Sequence, residues 1–450
     1  KRSVNMDVLS AFLISKRCPI LKNGETFYKK IFSLKQGENL QVDLQKNKLS
    51  KIFNDNIDEY INKDFNKKDI LNDINSSINL RLRSDVPIGV ALSSGVDSST
   101  IAGNIVSMKK NNNVNFFTVN TTKDDMRGVI DLEKDLEIDI HKSIINENEF
   151  NFLKIFSEIV SHFETPTNLR LLALPQYFIF KEMKKQGIKV VIDGTGGDEI
   201  FGGYPPFISR VIRTLFYKKK FFSALYLSSL NYPIKNTFST QFQYMKSIFK
   251  DAFRPLIKRK TINQKLIMID IFKKFTKKNL FLFDDYLEKF LNVYFFDTLK
   301  EMQLNSLKIG AMRDYLISND RMSMMYSMEV RSPFLDYRLL KYLNLRDKYK
   351  FNRGFNKFLI RKLMSNKINE KIRWQKKSAF SFTNQINFFL KNKEEKIFNE
   401  IRASSFLSKI FNINDLLKNY SKNRKNEDIK QVLWLLLIIS LIDKKFNLEI

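Results

Sequence analysis

Apolar positions recur along this chain with two periods, and the places where one period gives way to the other mark its elements. Residues 88–92 (Ile-Gly-Val-Ala-Leu) are a short, partly β-branched apolar run after Pro87, which predicts a buried parallel strand. Ile101, Ile105 and Met108 then follow at helical spacing, so the stretch Ser93-Ser94-Gly95-Val96-Asp97-Ser98-Ser99 is a tight turn from strand into helix. Residues 115–120 predict a second strand and residues 188–192 a third, the latter preceded by a helix over 175–186 that stops at Gly187. Upstream, Ile61, Phe65, Leu71, Ile74, Ile78 and Leu82 keep a helical rhythm with a break near Asn66. Leu9, Phe12 and Leu13 predict an opening helix, and residues 25–43 a turn and an alternating strand. Residues 206–300 are Phe- and Lys-rich and helical in rhythm, without an interpretable motif. Strand, helix and strand in alternation predict an α/β fold with a doubly wound parallel sheet, which takes its ligands at the carboxyl ends of the strands.

Composition narrows the function. With 450 residues the chain has room for more than one domain. One cysteine and no secretory signal fit a reducing, cytoplasmic compartment, and two histidines, His141 and His162, argue against a His-built zinc site. The longest apolar run, residues 432–442, falls short of the roughly 20 residues that span a bilayer, so it predicts a buried core helix and no membrane partner. A formal charge of +29 would suit nucleic acid. The lysines, however, are dispersed among aromatics, as at residues 218–222 and 273–275, which is the pattern of solvated faces with snorkelling stems. Nucleic acid is therefore not the expected partner, and RNA contact stays as the alternative. The chain starts at Lys1 without an initiator Met, as a fragment or processed product would.

Candidate chemistry gathers at the strand ends. The turn at 93–99 leaves backbone N–H groups and the hydroxyls of Ser93, Ser98 and Ser99 at a helix start, a setting that binds phosphate. Asp97 is unsuited to touch a polyphosphate directly, so its expected role is to hold the accompanying Mg²⁺. A second cluster, Asp193-Gly-Thr-Gly-Gly-Asp-Glu-Ile-Phe-Gly-Gly-Tyr-Pro205, opens at the end of the third strand and holds five of the 14 glycines, so its backbone turns sharply or approaches something closely. Asp198 and Glu199 sit at a helix start, where they would also complement the dipole.

Ser-Ser-Gly-Val-Asp-Ser resembles the S-G-G-x-D-S loop of the PP-loop ATP pyrophosphatases, which cleave ATP between its α and β phosphates; Ser94 stands at the first glycine of that pattern. The second cluster resembles the S-G-E-G-x-D-E-x-F-G-G-Y motif of the asparagine synthetases. Residues 320–324 and 328–336 resemble that family's D-R-x-S-M and E-x-R-x-P-F-L-D runs, residues 356–361 its K-x-x-L-R stretch, and residues 373–380 its R-x-x-K-x-G-F. Residues 1–56 resemble the last part of a glutaminase domain, leaving 57–450 as the synthetase domain; Cys18, internal and followed by Pro19, is not the N-terminal nucleophile of such a domain. The family thus implies a PP-loop fold with additional helices and the cofactors ATP and Mg²⁺. Leu92, Ser93, Ser94, Gly95, Val96, Asp97, Ser98, Ser99, Asp193, Gly194, Thr195 and Gly196 would bind ATP or pyrophosphate, with Val119 against adenine. Asp97 and Asp198 would hold the metal, and Lys377 would act at the α-phosphate. The implied reaction adenylates a carboxylate, aspartate in the namesake enzymes, and passes ammonia or an amine to it; a glutaminase domain or subunit is an expected partner, and the chain as given is expected to depend on added ammonia or amine rather than glutamine. Thr195 replaces the motif's glutamate, which resembles a general base, so either Asp193 serves as the base or the acceptor is another carboxylate such as a sugar acid. A PP-loop tRNA-modifying enzyme and a nucleotide-binding protein without chemistry are the remaining alternatives.

Overall fold

The structure, a computed structural model, describes residues 1–450 except 17, 20–23, 54–55, 111–112, 121–125, 146–150, 168–172, 232–257, 278–297, 309–310 and 376–384. Its opening segment comprises β1 (Arg2–Ser3), α1 (Met6–Ser15) and a hairpin of β2 (Glu38–Asp43) with β3 (Lys48–Phe53). Then come α2 (Ile57–Ile61), α3 (Ile70–Arg81), β4 (Ile88–Ala91), α4 (Val96–Ser107), β5 (Val114–Asn120), α5 (Arg127–Leu136) and β6 (Ile140–Ile144). After α6 (Phe152–Phe163) and α7 (Ala173–Lys185) follow β7 (Val190–Ile192), α8 (Gly197–Phe201), further helices, and β8 (Glu329–Arg331). The break expected near Asn66 is a 3-10 turn at Lys67–Asp69, capped by the Asn66 side chain.

Five strands form one parallel sheet in the order β6-β5-β4-β7-β8. Successive side chains on a strand point to opposite faces, and the sheet divides two cores in that way. Phe116, Val190 and Ile192 join Ile74, Ile101 and Leu132 on one face, where α3, α4 and α5 pack. Phe117, Val119 and Val191 join Phe156, Phe180 and Trp434 on the other. The last helix, Glu427–Phe446, buries the whole apolar run through Ile442, as its pattern predicts. Helices on both faces make the sheet doubly wound, and the chain reverses direction across it between β4 and β7. That reversal opens a crevice at the carboxyl ends of these two strands, the usual ligand position in such sheets.

The residues after β8 pack on α3 and against the Gly196 turn. Asp336, only 3% exposed, accepts from Arg81 on α3 at 2.8 Å and from Arg338 at 2.7 and 2.9 Å. Arg331 pairs instead with Glu329, at 2.6 Å. Burial alone would raise the Asp336 carboxyl, but hydrogen bonds from Arg338 and Arg81 hold it well below the usual carboxylate range. Asp336→Ala is expected to lower unfolding free energy by about 2–4 kcal/mol at neutral pH, since it strands two partly buried guanidinium groups. A depressed folded-state pKa contributes stability above the unfolded value and loses it on acidification. The gap between wild type and variant in urea titrations should therefore shrink below about pH 4; a gap that stays constant there would assign the loss to packing.

Candidate active site

The crevice is a cleft of about 380 Å³, walled by the end of β4 and the start of α4 (Ser93, Asp97, Ser98), the Gly194–Gly196 turn with Asp198 and Glu199, and Tyr204, Met312 and Tyr315. Two of the three expected hydroxyls meet here. Ser98 Oγ donates to the Ser93 carbonyl at 2.7 Å, accepts from its N–H at 3.0 Å, and lies 3.0 Å from its Oγ. Ser99 does not join them: it is 1% exposed, and its hydroxyl has no hydrogen-bond partner among the described residues. Ser94 has no positive φ, so a side chain is tolerated at this position; its Oγ accepts from Gln375 Nε2 at 2.9 Å. Leu92 belongs to the core and also lines the cleft, its N–H donating to the Phe117 carbonyl at 2.8 Å, and Gly95 precedes α4 with its N–H on Ser93 Oγ at 3.2 Å. Val96 packs partly buried against the α3–α5 core. Val119 is buried in β5 and is not among the residues walling the cleft.

Asp97 and Asp198 come from the two strand ends and converge on one group. The Lys357 ammonium contacts both carboxylates and is 3% exposed. Burial opposes its charge, but Asp97 and Asp198 outweigh burial and hold the pKa above the ordinary lysine value. The glycines explain how the carboxylates come so close. A Cβ on Gly197 would fall 2.4 Å from Asp97 Oδ1, and one on Gly203 1.6 Å from Asp198 Oδ1. Gly196, at φ +100°, would bring a Cβ to 2.5 Å from Leu335 as well. Lys357 is the site residue that sequence reasoning left without a role, although the K-x-x-L-R stretch already contained it. The arginine of that stretch, Arg361, is buried and bonds Asn356 through Nε at 2.8 Å and Nη2 at 2.9 Å; Asn356 in turn donates to the Gly203 carbonyl at 2.7 Å. The lysine thus leaves the backbone from a clamped point.

Two carboxylates beside a phosphate-suited turn fit Mg²⁺, which takes one or two carboxylates and completes its octahedron with water and substrate phosphates. Among the described residues no group of three or more His, Cys, Asp or Glu could hold a metal unaided.

Asp193 is engaged on both oxygens. Its Oδ2 accepts from Thr195 Oγ1 and Asn319 Nδ2, each at 2.6 Å, and its Oδ1 from Ser332 Oγ at 2.6 Å and the Thr195 N–H at 3.2 Å. Glu199 is 1% exposed, not a solvated dipole partner, and accepts from Tyr204 Oη at 2.8 Å. Burial pushes its carboxyl up to about 7, the Tyr204 hydrogen bond opposing this and the Asp198 charge adding to it. Gln303 supports the helix below, donating to the Glu199 and Ile200 carbonyls, and is itself held by buried Lys350 at 2.6 Å. Lys377 lies outside the described residues.

Residues 69–444 match the family model "Asparagine synthase". The chain is 27% identical over 398 residues to asparagine synthetase [glutamine-hydrolyzing] 1 of Bacillus subtilis, covering 85% of this chain and 60% of that protein. It is 33% identical over 139 residues to an asparagine synthetase of Zea mays, covering 28% of this chain and 22% of that one, and 30% over 152 residues to asparagine synthetase B of Escherichia coli, covering 31% and 27%. The chain therefore spans at most about three-fifths of the length of these relatives. No helix among the described residues is long and apolar enough to cross a membrane. With a matching model over most of its length and the two phosphate-suited turns placed at the switch point of a parallel sheet, the chain belongs to the asparagine synthase family.

Proposed function

We propose that this chain is an ATP-dependent amide-forming ligase that activates a carboxylate by adenylation. The observation that carries the reading is the meeting of Asp97 and Asp198, from separate strand ends, above the Ser93–Ser98 turn. In this reading a substrate carboxylate oxygen bonds to the α-phosphorus of ATP as the bond to the β-phosphate oxygen breaks and pyrophosphate leaves. An amine nitrogen then bonds to the acyl carbon, and AMP departs with the electrons of the broken C–O bond. The turn backbone and Ser93, Ser94, Gly95 and Ser98 cradle the leaving phosphates, with Gly194 and Gly196 giving backbone access from the other side. Asp97 and Asp198 would hold Mg²⁺, which supplies neutralising charge on the phosphates when bound. Val119 is read as adenine-side support and Lys377 as the cation at the α-phosphate. Residues 1–56 are read as part of a glutaminase domain, and the exposed apolar side chains of the β2–β3 hairpin, Leu40, Val42, Leu49 and Phe53, as the face that packs on the rest of such a domain or subunit.

A specific observation favours an acceptor other than aspartate. The Thr195 hydroxyl proton is directed to Asp193, whose oxygens also receive Asn319 and Ser332, so Asp193 serves to orient Thr195 and not as a free base. Tyr204, Tyr315 and Met312 wall the adjoining cleft with flat, weakly polar surface, which suits the face of a sugar acid. The test is ATP–pyrophosphate exchange in the presence of aspartate or of uronic acids, followed by AMP release with ammonia. Exchange stimulated by a uronic acid but not aspartate supports this acceptor, stimulation by aspartate alone restores the namesake substrate, and exchange with no carboxylate at all would overturn the adenylation.

A further inference from the structure

We propose that Lys357 makes this site accept a divalent cation only together with a polyphosphate, an inference that rests on the reading of Asp97 and Asp198 as metal ligands. A cation that joined the two carboxylates would stand where the Lys357 ammonium touches both. The surroundings give it little room to share. A Cβ on Gly203 would already lie 2.5 Å from Lys357 Cε and 1.6 Å from Asp198 Oδ1, and one on Gly194 3.0 Å from Asp97 Cβ. Mg²⁺ demands octahedral ligands at about 2.0–2.1 Å and gives up its waters reluctantly. It cannot be inserted between these oxygens while the ammonium stays.

Moving the ammonium has a cost that only some ligands offset. Lys357 is 3% exposed, and its backbone, at φ 50° and ψ 33°, starts the helix Phe358–Leu363 from the clamped Asn356. Its stem therefore pivots about a fixed root, and a displaced ammonium must find new anionic partners within its own reach. A bare divalent ion provides none and would leave a buried cation beside a doubly charged one. A polyphosphate seated on the Ser93–Ser98 turn provides oxygens for the displaced ammonium and ligands for the metal at once. Binding of the two is then coupled, each raising the other's affinity by the same factor. Lys357 is in this sense a selector for the metal–nucleotide complex against free metal, and against free nucleotide arriving without its cation.

The test titrates Mn²⁺ into the full chain by electron paramagnetic resonance, with and without inorganic pyrophosphate, for wild type and for Lys357→Met and Lys357→Gln, with circular dichroism confirming the fold of each. Wild type should bind Mn²⁺ poorly alone and at least about tenfold more tightly with pyrophosphate, within the usual range of coupling. Either variant should bind Mn²⁺ alone at least about tenfold more tightly than wild type, with melting temperature raised by Mn²⁺ alone, and the pyrophosphate effect on Mn²⁺ should shrink. Tight binding of Mn²⁺ alone by wild type overturns the proposal and leaves the metal site standing; so does a folded variant no better than wild type. Should neither variant fold, the wild-type titration decides by itself: pyrophosphate coupling supports the selector, and equal binding with and without pyrophosphate refutes it. Failure of wild type and variants alike to bind Mn²⁺ even with pyrophosphate removes the metal-ligand reading itself.

Discussion

Asp198→Ala is expected to reduce ATP–pyrophosphate exchange by about a thousandfold, the scale on which catalytic electrostatic groups act. Asp198 sits in the first turn of α8, one residue after Gly197 and with Gly203 against its carboxylate, so the side chain is confined to the one direction that meets Asp97. Removing it takes away half of the anionic pair and leaves Lys357, among the described residues, paired with Asp97 alone. Asp97→Ala should act comparably, and the double variant little worse than either, because residues that work as one unit are not additive. Exchange measured over a range of Mg²⁺ concentrations checks this. Near-wild-type exchange in both single variants would remove the cleft from the chemistry, whereas a loss in only one would reassign the metal to the other.

The second large effect concerns Lys377. Gln375, two residues earlier, is fastened to the Ser93–Ser98 turn through Ser94 at 2.9 Å, and its carbonyl accepts from Arg361 at 3.0 Å. Arg373 is tied to the Arg361 carbonyl at 3.0 Å, so residues 373–375 are anchored beside the turn. Lys377→Ala should lower kcat by about 10²–10³ while changing the KM for ATP little, since charge on the α-phosphate oxygens grows chiefly as pyrophosphate leaves. Single-turnover AMP formation separates this from a binding defect. A raised KM with unchanged kcat would instead mark a contact made equally in ground and transition states.

What the sequence made legible was local. The apolar run after Pro87 followed by helical spacing located β4, its turn and α4 within a residue or so, and the glycine cluster located the second wall of the cleft. Both depend on neighbours in the chain. Lys357 did not announce itself, because its two carboxylates come from elements 260 and 159 residues upstream and a lysine in so basic a chain carries no signal of burial. Asp193 had the same difficulty in reverse. Its candidacy as a base came from the motif's missing glutamate and the spacing, while the Asn319 and Ser332 donors on its carboxylate lie 126 and 139 residues away. Glu199 reads as a dipole partner at a helix start, and only the position of Tyr204 after the Gly202–Gly203 bend shows it enclosed. The strand order, too, follows from crossovers that period and composition do not encode.

The pairing of β1 with β9 (Leu448–Glu449) sets a schedule for making the protein. Arg2 lies opposite Leu448, so β1 gains its partner strand only after residue 448 is made, whereas α1 packs on the helix Lys258–Phe275 and waits only for that. At translation rates of roughly 5–20 residues per second, the wait of β1 is roughly 20–90 s. Val8, Leu9, Phe12 and Leu13, all fully enclosed in the finished structure, share their core with Phe27, Phe152, Met268 and Phe272 and so find partners earlier. A stop codon placed just before residue 448 would leave β1 without its partner strand while α1 keeps its packing on the helix Lys258–Phe275.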